Sequence, residues 1–213
     1  MPGNALANLL DFRQKHPWPH TMPNVPEDWM GWLCPDTADA LKEHLGVNTH
    51  IVVECGTWLG FSARAILDAA PLTHLICIDT WMGSPEHWND KTPDGSPGAW
   101  ASRLPTLFEV CQRNLWPYHP RVTLVRADSL LGLALVHEAD LSPDLIYLDT
   151  KHTTGRVMAE LSVCLELFPD SPIVGDDFSN TCVEAAARHH AKITGRPLRE
   201  HGAAFSFPAW HND

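Results

Sequence analysis

Short runs of apolar residues, each followed by a stretch with helical periodicity, dominate the chain from about residue 50 onward. These runs are apolar at nearly every position, which is typical of strands buried on both faces of a sheet. Strands of this kind alternate with helices in proteins that are built on a parallel sheet. The predicted parallel strands are His50–Cys55, His74–Asp79, Val122–Ala127, Leu145–Asp149 and Ile173–Asp176.

The segments around these strands predict the helices that cover the sheet. They are Asp36–Leu45, with Asp36 as a candidate N-cap, Gly60–Ala70, Ala101–Leu115, Leu130–Glu138, Thr153–Phe168 and Thr181–Thr194. The tail Pro197–Ala209 predicts two further strands in a hairpin. Because crossovers between parallel strands are right-handed, we expect a doubly wound, Rossmann-like α/β fold. Its sheet should have seven strands, mainly parallel with an antiparallel last strand, and helices on both faces.

The first 35 residues follow a different pattern. Their prolines exclude regular helix apart from a short stretch near Ala5–Lys15, and Trp18, Trp29 and Trp32 imply that the segment packs on something. It could cover its own domain, act as a lid, or clasp a second copy of the chain in a homo-oligomer. The chain has 213 residues and 44% hydrophobic content, enough for one core. We therefore expect an N-terminal arm over residues 1–35 and a single domain over 36–213.

Charge and cysteine content narrow the functional classes. The net charge of −11 makes nucleic acid an unfavourable partner and is compatible with cationic ligands or metal ions, although a solvated acidic surface explains most of it. Six cysteines form no CxxC pair, and Cys55 and Cys77 lie in predicted buried strands, so we expect reduced thiols in a cytoplasmic protein. We see no signal peptide and no apolar run that approaches a membrane span, and we expect no membrane partner.

Acidic residues close or follow every predicted parallel strand. Ligands of such sheets bind at the carboxyl ends of the strands, near the point where the strand order reverses. One acid at a helix start is an ordinary cap, but five strand ends in a row are harder to explain as caps. The acids are Glu54, Asp79, Asp128, Asp149 and the pair Asp176 and Asp177.

The first strand runs through a glycine-rich turn into its helix. Gly56 and Gly60 would let a ligand approach the backbone, and the helix start offers unpaired N–H groups. Asp79, at the next strand end, is placed to accept hydrogen bonds from ribose hydroxyls, so the two features together indicate a nucleoside ligand. A dinucleotide is disfavoured, because the turn reads GxxxG instead of GxGxxG and Glu54 would face a pyrophosphate. A sulfonium ligand with an ammonium group suits this acidic entrance better.

The chain resembles the class I S-adenosylmethionine-dependent methyltransferases, through VVECGTWLGFSA, LICIDTW, VRADS, LIYLDTKH and IVGDDF in that order. More narrowly, it resembles the small metal-dependent family of macrolide-sugar O-methyltransferases and cephalosporin-hydroxylase-like proteins, from about Asp36 to the C-terminus. The resemblance implies S-adenosylmethionine as cofactor, with Glu54 and the glycine turn around its methionine part, Asp79 at the ribose and Asp128 beside the adenine. The implied cofactor-binding residues are Glu54, Gly56, Thr57, Trp58, Gly60, Asp79, Thr80, Asp128 and Ser129.

A second candidate site consists of three carboxylates at two adjacent strand ends, Asp149, Asp176 and Asp177. They would repel one another unless protonated, separated by water or bridged by a cation. Oxygen ligands suit Mg²⁺, Mn²⁺ or Ca²⁺, and we expect Mg²⁺, which keeps open coordination positions. Alternatively, Asp149 and Asp177 cap the following helices and no metal binds. The resemblance favours the metal, since catechol-type O-methyltransferases place three acidic or amide ligands at these two strand ends.

His152 stands three residues after Asp149 and could accept a proton as the catalytic base. The resemblance supports this role, because the macrolide-sugar type has a histidine there and the catechol type a lysine; Lys151 lies one position off. We therefore expect methyl transfer to a hydroxyl of a small-molecule acceptor, such as a sugar or another vicinal diol. The alternatives are an N-methyltransferase or hydroxylase-like enzyme on the same frame, or a non-catalytic S-adenosylmethionine-binding protein.

The segment 80–100 predicts an overlong loop rich in Gly, Pro and Trp. Its tryptophans are Trp81, Trp88 and Trp100. They indicate either a lid that stacks on a ligand and excludes water, or hydrophobic packing of the loop itself.

Overall fold

The computed structural model describes residues 3–209, in which seven strands form one sheet. The strands are β1 (Ile51–Cys55), β2 (His74–Asp79), β3 (Val122–Arg126), β4 (Leu145–Leu148), β5 (Ile173–Gly175), β6 (Arg199–His201) and β7 (Ala204–Phe207). Their order is β3-β2-β1-β4-β5-β7-β6. All pairs from β3 to β5 are parallel, whereas β7 is antiparallel to both of its neighbours. The predicted sheet, with its terminal hairpin, is confirmed.

Eight α-helices accompany the sheet in the described residues. They are α1 (Gly3–Lys15), α2 (Pro35–Lys42), α3 (Phe61–Ala69), α4 (Pro85–Trp88), α5 (Leu107–Leu115), α6 (Ser129–Glu138), α7 (Thr154–Leu167) and α8 (Thr181–Thr194). None of them is long and apolar enough to cross a membrane.

The short helix α4 lies within segment 80–100, which the sequence predicts as a loop, and the N-termini of α5 and α2 also differ from the prediction. The helix predicted from Ala101 begins as a 3-10 helix over Ala101–Thr106, because Pro105 has no N–H to donate and disfavours regular α-helix there. The N-cap of α2 is Cys34, whose sulfur accepts from Thr37 N–H, and not Asp36. Asp36 instead accepts the main-chain N–H of Ala203 at 2.8 Å, which ties α2 to the terminal hairpin.

The core lies on both faces of the sheet because the strands are apolar at successive positions. Val53 and Ile76 pack on one side with α6, α7 and α8, and Val52 and Leu75 pack on the other with α2, α3 and α5. All four side chains are fully buried. Burial of each such aliphatic side chain contributes about 1.5–3 kcal/mol. These two layers fix the strand ends on which the site is built.

The N-terminal arm packs on its own chain. The indole Nε1 of Trp18 donates to the main-chain oxygen of Val122 at 2.9 Å. Further along, Asp28 pairs with Arg103 at 2.6 Å, and its carbonyl accepts from Asn114 Nδ2 at 2.7 Å. Among the alternatives for the arm, these contacts favour a cover for its own domain.

Candidate functional site

The strand order reverses direction between β1 and β4, which opens a crevice at the carboxyl ends of the strands. Glu54 lies within the end of β1, Asp79 closes β2, and Asp149 directly follows β4. Asp176 directly follows β5. The fold thus places the predicted acids of four strands on one rim.

The turn after β1 requires glycine because β4 packs directly on it. Gly56 has a φ of +94°, and a Cβ at this position would collide with the main-chain oxygen of Asp149. Gly60 also has a positive φ, +87°, where L-residues with a Cβ are strained. The sequence alone predicts that these glycines let a ligand approach the backbone. The structure supplies a reason within the chain itself, the approach of the segment that carries Asp149.

Glu54 is fully buried behind this turn. Its carboxylate accepts hydrogen bonds from Thr57 Oγ1 at 2.8 Å and from Ser62 Oγ at 2.6 Å. Burial raises the pKa of Glu54 to about 7, against the opposing effect of the two hydroxyl donors. Thr57 and Glu54, both predicted to be cofactor residues, are therefore in direct contact.

Replacing Glu54 with glutamine is expected to raise the free energy of unfolding at high pH. Because the folded-state pKa is raised, this residue's contribution to stability is fully present below its ordinary value, 4.5, and is lost as pH rises through about 7. The loss amounts to roughly 3 kcal/mol. The glutamine can keep both hydroxyl partners, so Glu54→Gln should be more stable than the unmodified chain at pH 8 and similar at pH 4.5.

Chemical denaturation of both proteins across this pH range measures the difference. Glu166→Gln, the same substitution on the exposed face of α7, controls for the loss of one charge. If the free energy of unfolding changed with pH in the same way for the unmodified chain and for Glu54→Gln, the loss of stability at high pH would not come from Glu54.

Asp79 is held by the main chain on both sides of the crevice entrance. Its Oδ2 accepts the N–H of Trp58 at 2.8 Å, and its Oδ1 accepts the N–H of Trp81 at 2.7 Å. Burial raises the pKa of Asp79, and the main-chain donors oppose this. The neighbouring Thr80 accepts the N–H of Met82 through Oγ1 at 3.3 Å.

Asp128 and Ser129 belong to a polar network that the sequence analysis missed. Asp128 caps α6 through Leu130 N–H and forms an ion pair with Arg156 at 2.8 Å. Arg156 Nε donates to the buried Glu160 at 2.8 Å, and Ser129 donates to the same carboxylate. The i,i+4 spacing of Arg156 and Glu160 was a signal in the sequence for their pairing.

Asp149, His152 and Asp177 bring three candidate metal-ligand atoms together. One ligand atom from each lies within 4.8 Å of the others. His152 Nε2 is 2.9 Å from Asp177 Oδ2 and 3.5 Å from Asp149 Oδ1. Hydrogen bonds with Asp149 and then Asp177 raise the pKa of His152 to about 10. Carboxylate oxygens with one imidazole nitrogen are a donor set that divalent ions accept.

Asp176 stands beside this group and not in it. Its Oδ1 accepts from Thr37 Oγ1 at 2.6 Å, and its Oδ2 accepts from Tyr147 OH at 3.1 Å. The same Tyr147 hydroxyl lies 3.4 Å from Asp149 Oδ2, so it links the two aspartates. The structure therefore groups His152, instead of Asp176, with the other two predicted ligands.

Neither Asp149 nor Asp177 is the N-cap of the following helix, so the capping in the alternative without a metal is wrong, and the metal stays a prediction. Thr153 is the N-cap residue of α7, and Asn180 is that of α8, where its side chain accepts Cys182 N–H. Asp177 adopts a left-handed backbone conformation, with φ +57°. Neither aspartate owes its position to a following helix.

The three tryptophans of segment 80–100 have different environments. Trp81 is buried, and its Nε1 donates to the main-chain oxygen of Trp58 at 2.8 Å. Trp88 is half exposed and donates to Met82 O at 2.6 Å. Trp100 is partly buried in an aromatic group with Trp58. Trp81 therefore fits the packing alternative, and the lid stays a prediction for the rest of the segment.

Solved structures with the same fold include several methyltransferases. CalS11, a calicheamicin methyltransferase, is 18% identical, with a TM-score of 0.53 over 81% of this chain and 77% of its own. The O-methyltransferase NovP is 14% identical, with a TM-score of 0.57 over 83% of this chain and 80% of its own. A Staphylococcus aureus protein assigned as a caffeoyl-CoA O-methyltransferase is 16% identical, with a TM-score of 0.56 over 95% of this chain and 99% of its own. At these identities the likeness shows the fold.

The family follows from the sequence itself. No curated protein sequence matches the chain significantly. A family model described as a methyltransferase domain matches residues 53–178, more than half of the chain, from β1 through the Asp176–Asp177 pair. The chain therefore belongs to the methyltransferase-domain family and has the fold of the class I S-adenosylmethionine-dependent methyltransferases.

Proposed function

We propose that this protein transfers a methyl group from S-adenosylmethionine to a hydroxyl of a small molecule, with the help of a divalent metal ion and a histidine base. The observation that carries the proposal is the convergence of strand-end acids on one crevice, within the segment that matches the methyltransferase domain. Names that specify oxygen as the methyl acceptor, such as that of NovP, support the choice of a hydroxyl.

The cofactor would lie along the ends of β1, β2 and β3. S-adenosylmethionine supplies a methyl group that is already activated on a positively charged sulfonium. Asp79 is the residue that we assign to the ribose hydroxyls, because its carboxylate is fixed by the N–H groups of Trp58 and Trp81. The acidic rim as a whole favours a cationic ligand over an anionic one. We assign the turn of Gly56–Gly60 to the methionine part and Asp128 with Ser129 to the adenine.

The metal would be held by Asp149 and Asp177, with Asp176 beside them. A bound divalent ion, for which we propose Mg²⁺, lowers the pKa of a ligated hydroxyl and fixes its direction. Tyr147 and Thr37 fix the carboxylate of Asp176, and the φ of Asp177 directs its side chain toward His152. These residues suit the ion because they offer carboxylate oxygens, the ligands that Mg²⁺ prefers, from two adjacent strand ends.

His152 is the residue that we assign to the proton. The acceptor oxygen gains the methyl group and loses its hydrogen, which passes to the imidazole nitrogen. In the structure Asp149 and Asp177 raise the pKa of His152 to about 10, so the ring holds a proton at neutral pH. Catalysis needs the neutral ring, and sharing both carboxylates with a cation would lower the pKa of His152 toward the range of a base.

Turnover with and without a chelator tests the proposal. We expect the purified protein, given S-adenosylmethionine, Mg²⁺ and a panel of hydroxylated aromatic compounds and sugars, to release S-adenosylhomocysteine only when a hydroxyl acceptor is present. Removing divalent ions with EDTA should abolish this release, and adding Mg²⁺ back should restore it.

The alternatives give different results in the same assay. Methylation of amines that survives EDTA would indicate an N-methyltransferase. Product formation that requires oxygen would indicate a hydroxylase-like enzyme. Binding of the cofactor without turnover on any acceptor would contradict the enzymatic proposal and indicate a binding protein.

A further inference from the structure

Four aromatic rings from three distant segments meet at the entrance of the crevice. Trp32 comes from the arm, Trp58 from the turn after β1, and His87 and Trp100 from segment 80–100. The centroids of Trp58 and His87 are 4.6 Å apart, those of His87 and Trp100 are 5.4 Å apart, and those of Trp32 and Trp100 are 5.3 Å apart. We call this group the aromatic wall.

The aromatic wall adjoins the proposed cofactor and metal sites. The N–H of Trp58 binds Asp79, and Trp58 lies two residues after Gly56, which packs on the main chain of Asp149. Trp58 has a φ of +51°, a conformation that bulky residues rarely adopt and that costs energy. Strained backbone conformations of this kind cluster at functional sites. The Trp58 ring is therefore a candidate for direct contact with a ligand.

Part of the aromatic wall is open to a ligand. Trp32 has 60% of its surface exposed, although it is a large apolar side chain. The indole nitrogen of Trp58 is buried and has no hydrogen-bond partner among the described residues. A buried donor of this kind costs free energy until an acceptor binds to it.

The charged groups around the aromatic wall are mainly acidic, with Lys151 as a cation near Glu86. Burial lowers the pKa of His87, while the carboxylates of Glu86, Asp79 and Asp90 oppose this, which places three anionic groups near the ring. The Nδ1 of His87 is already bonded to Ser84 at 3.1 Å. Arg103, on the adjoining 3-10 helix, is paired with Asp28 at 2.6 Å.

These surroundings discriminate between acceptor classes. Phosphate groups would meet the carboxylates of Glu86, Asp79 and Asp90 against Lys151, so nucleotide-linked acceptors are disfavoured. A sugar can stack on a tryptophan, but its other hydroxyls need several side-chain partners, and the aromatic wall offers few. A flat aromatic ring needs only the stacking surface and one or two polar contacts.

We propose that the aromatic wall binds the acceptor, and that this acceptor is an uncharged, phosphate-free aromatic ring that carries the methyl-accepting hydroxyl. This inference rests on the proposed function and specifies its substrate class. Trp32, which packs edge-to-face on Trp100 with an interplanar angle of 82°, supplies the stacking surface, and the Trp58 indole N–H donates to an oxygen of the acceptor.

Calorimetric titration of the protein saturated with S-adenosylhomocysteine and Mg²⁺ tests the inference. The probes are 1,2-dihydroxybenzene, a methyl pyranoside and a nucleoside diphosphate sugar. We expect the aromatic probe to bind at least tenfold more tightly than either of the others. Trp32→Ala and Trp100→Ala should each weaken its binding by roughly tenfold, which is the upper range for a stacked aromatic pair, and Trp32→Ala should leave the affinity for S-adenosylhomocysteine unchanged.

Trp29→Ala is the matched control. Trp29 lies in the same arm, but its ring packs under Arg64, at 5.0 Å, and not in the aromatic wall. Equal weakening by Trp29→Ala and Trp32→Ala would overturn the inference, as would tighter binding of the pyranoside or the nucleotide sugar, or no binding of the aromatic probe to the saturated protein. If S-adenosylhomocysteine itself does not bind, the proposed function fails, and the same titrations on the unsaturated protein still decide what the aromatic wall binds.

Discussion

His152→Ala is expected to lower kcat by about 10²–10⁴-fold, the usual contribution of a positioned general base. The imidazole Nε2 is 2.9 Å from Asp177 Oδ2 and 3.5 Å from Asp149 Oδ1, so the two carboxylates fix the ring beside the proposed metal site. The same substitution should leave the dissociation constant of S-adenosylhomocysteine nearly unchanged, because none of the contacts assigned to the cofactor involves this ring. Steady-state kinetics and calorimetry on the purified variant measure the two quantities separately.

His189→Ala is the control for this prediction, since His189 is exposed on α8 and takes no part in the site. It should have the kcat and the cofactor affinity of the unmodified chain. If His152→Ala lost turnover and cofactor affinity by the same factor, His152 would have no catalytic role. A small effect of His152→Ala on kcat would leave the proton acceptor to another group, of which Lys151 is the nearest in sequence.

Gly56→Ala is expected to cost at least ~4 kcal/mol of unfolding free energy, or to prevent folding, which places it among the most damaging single substitutions. The added Cβ would collide with the main-chain oxygen of Asp149, a rigid atom of the segment that follows β4. The φ of +94° adds strain for any residue with a Cβ. Urea denaturation, or the soluble yield if the variant does not fold, measures the effect.

Gly95→Ala separates the collision from the strain. Gly95 has a φ of +85°, close to that of Gly56, but a Cβ there would meet nothing within 4 Å. We therefore expect Gly95→Ala to cost only about 1–2 kcal/mol. Equal losses of unfolding free energy in the two variants would contradict the close approach of the Asp149 main-chain oxygen to Gly56.

The strands could be predicted because the apolar runs are continuous and clearly bounded along the chain. The bounds of β2 and of α8 agree with the prediction to the residue, and the terminal hairpin was recognised from its short strands. The start of α5 was not recognised, because its helical periodicity extends back over Pro105, which the chain accommodates in a 3-10 helix. The local hydrophobic pattern predicts whether an element is a helix or a strand better than it predicts the residues at which the element begins and ends.

The rim of acids was predictable from strand ends, but the direction of each carboxylate was not. Asp176 turns toward Thr37, which is 139 residues away in the chain, and no local spacing encodes that contact. Glu160 was missed for a similar reason, because its partners Ser129 and Thr150 follow two different strands. Side-chain direction depends on tertiary neighbours, which a single sequence does not show.

The most direct test of the central claim is calorimetric titration of S-adenosylhomocysteine into the unmodified chain and into Asp79→Asn. We expect one binding site per unmodified chain. Asp79→Asn should bind at least tenfold more weakly, since hydrogen bonds to a charged partner contribute about 1.5–3 kcal/mol each. Absence of binding by the unmodified chain, or equal affinities of the two proteins, would contradict the placement of the cofactor at the carboxyl ends of this sheet.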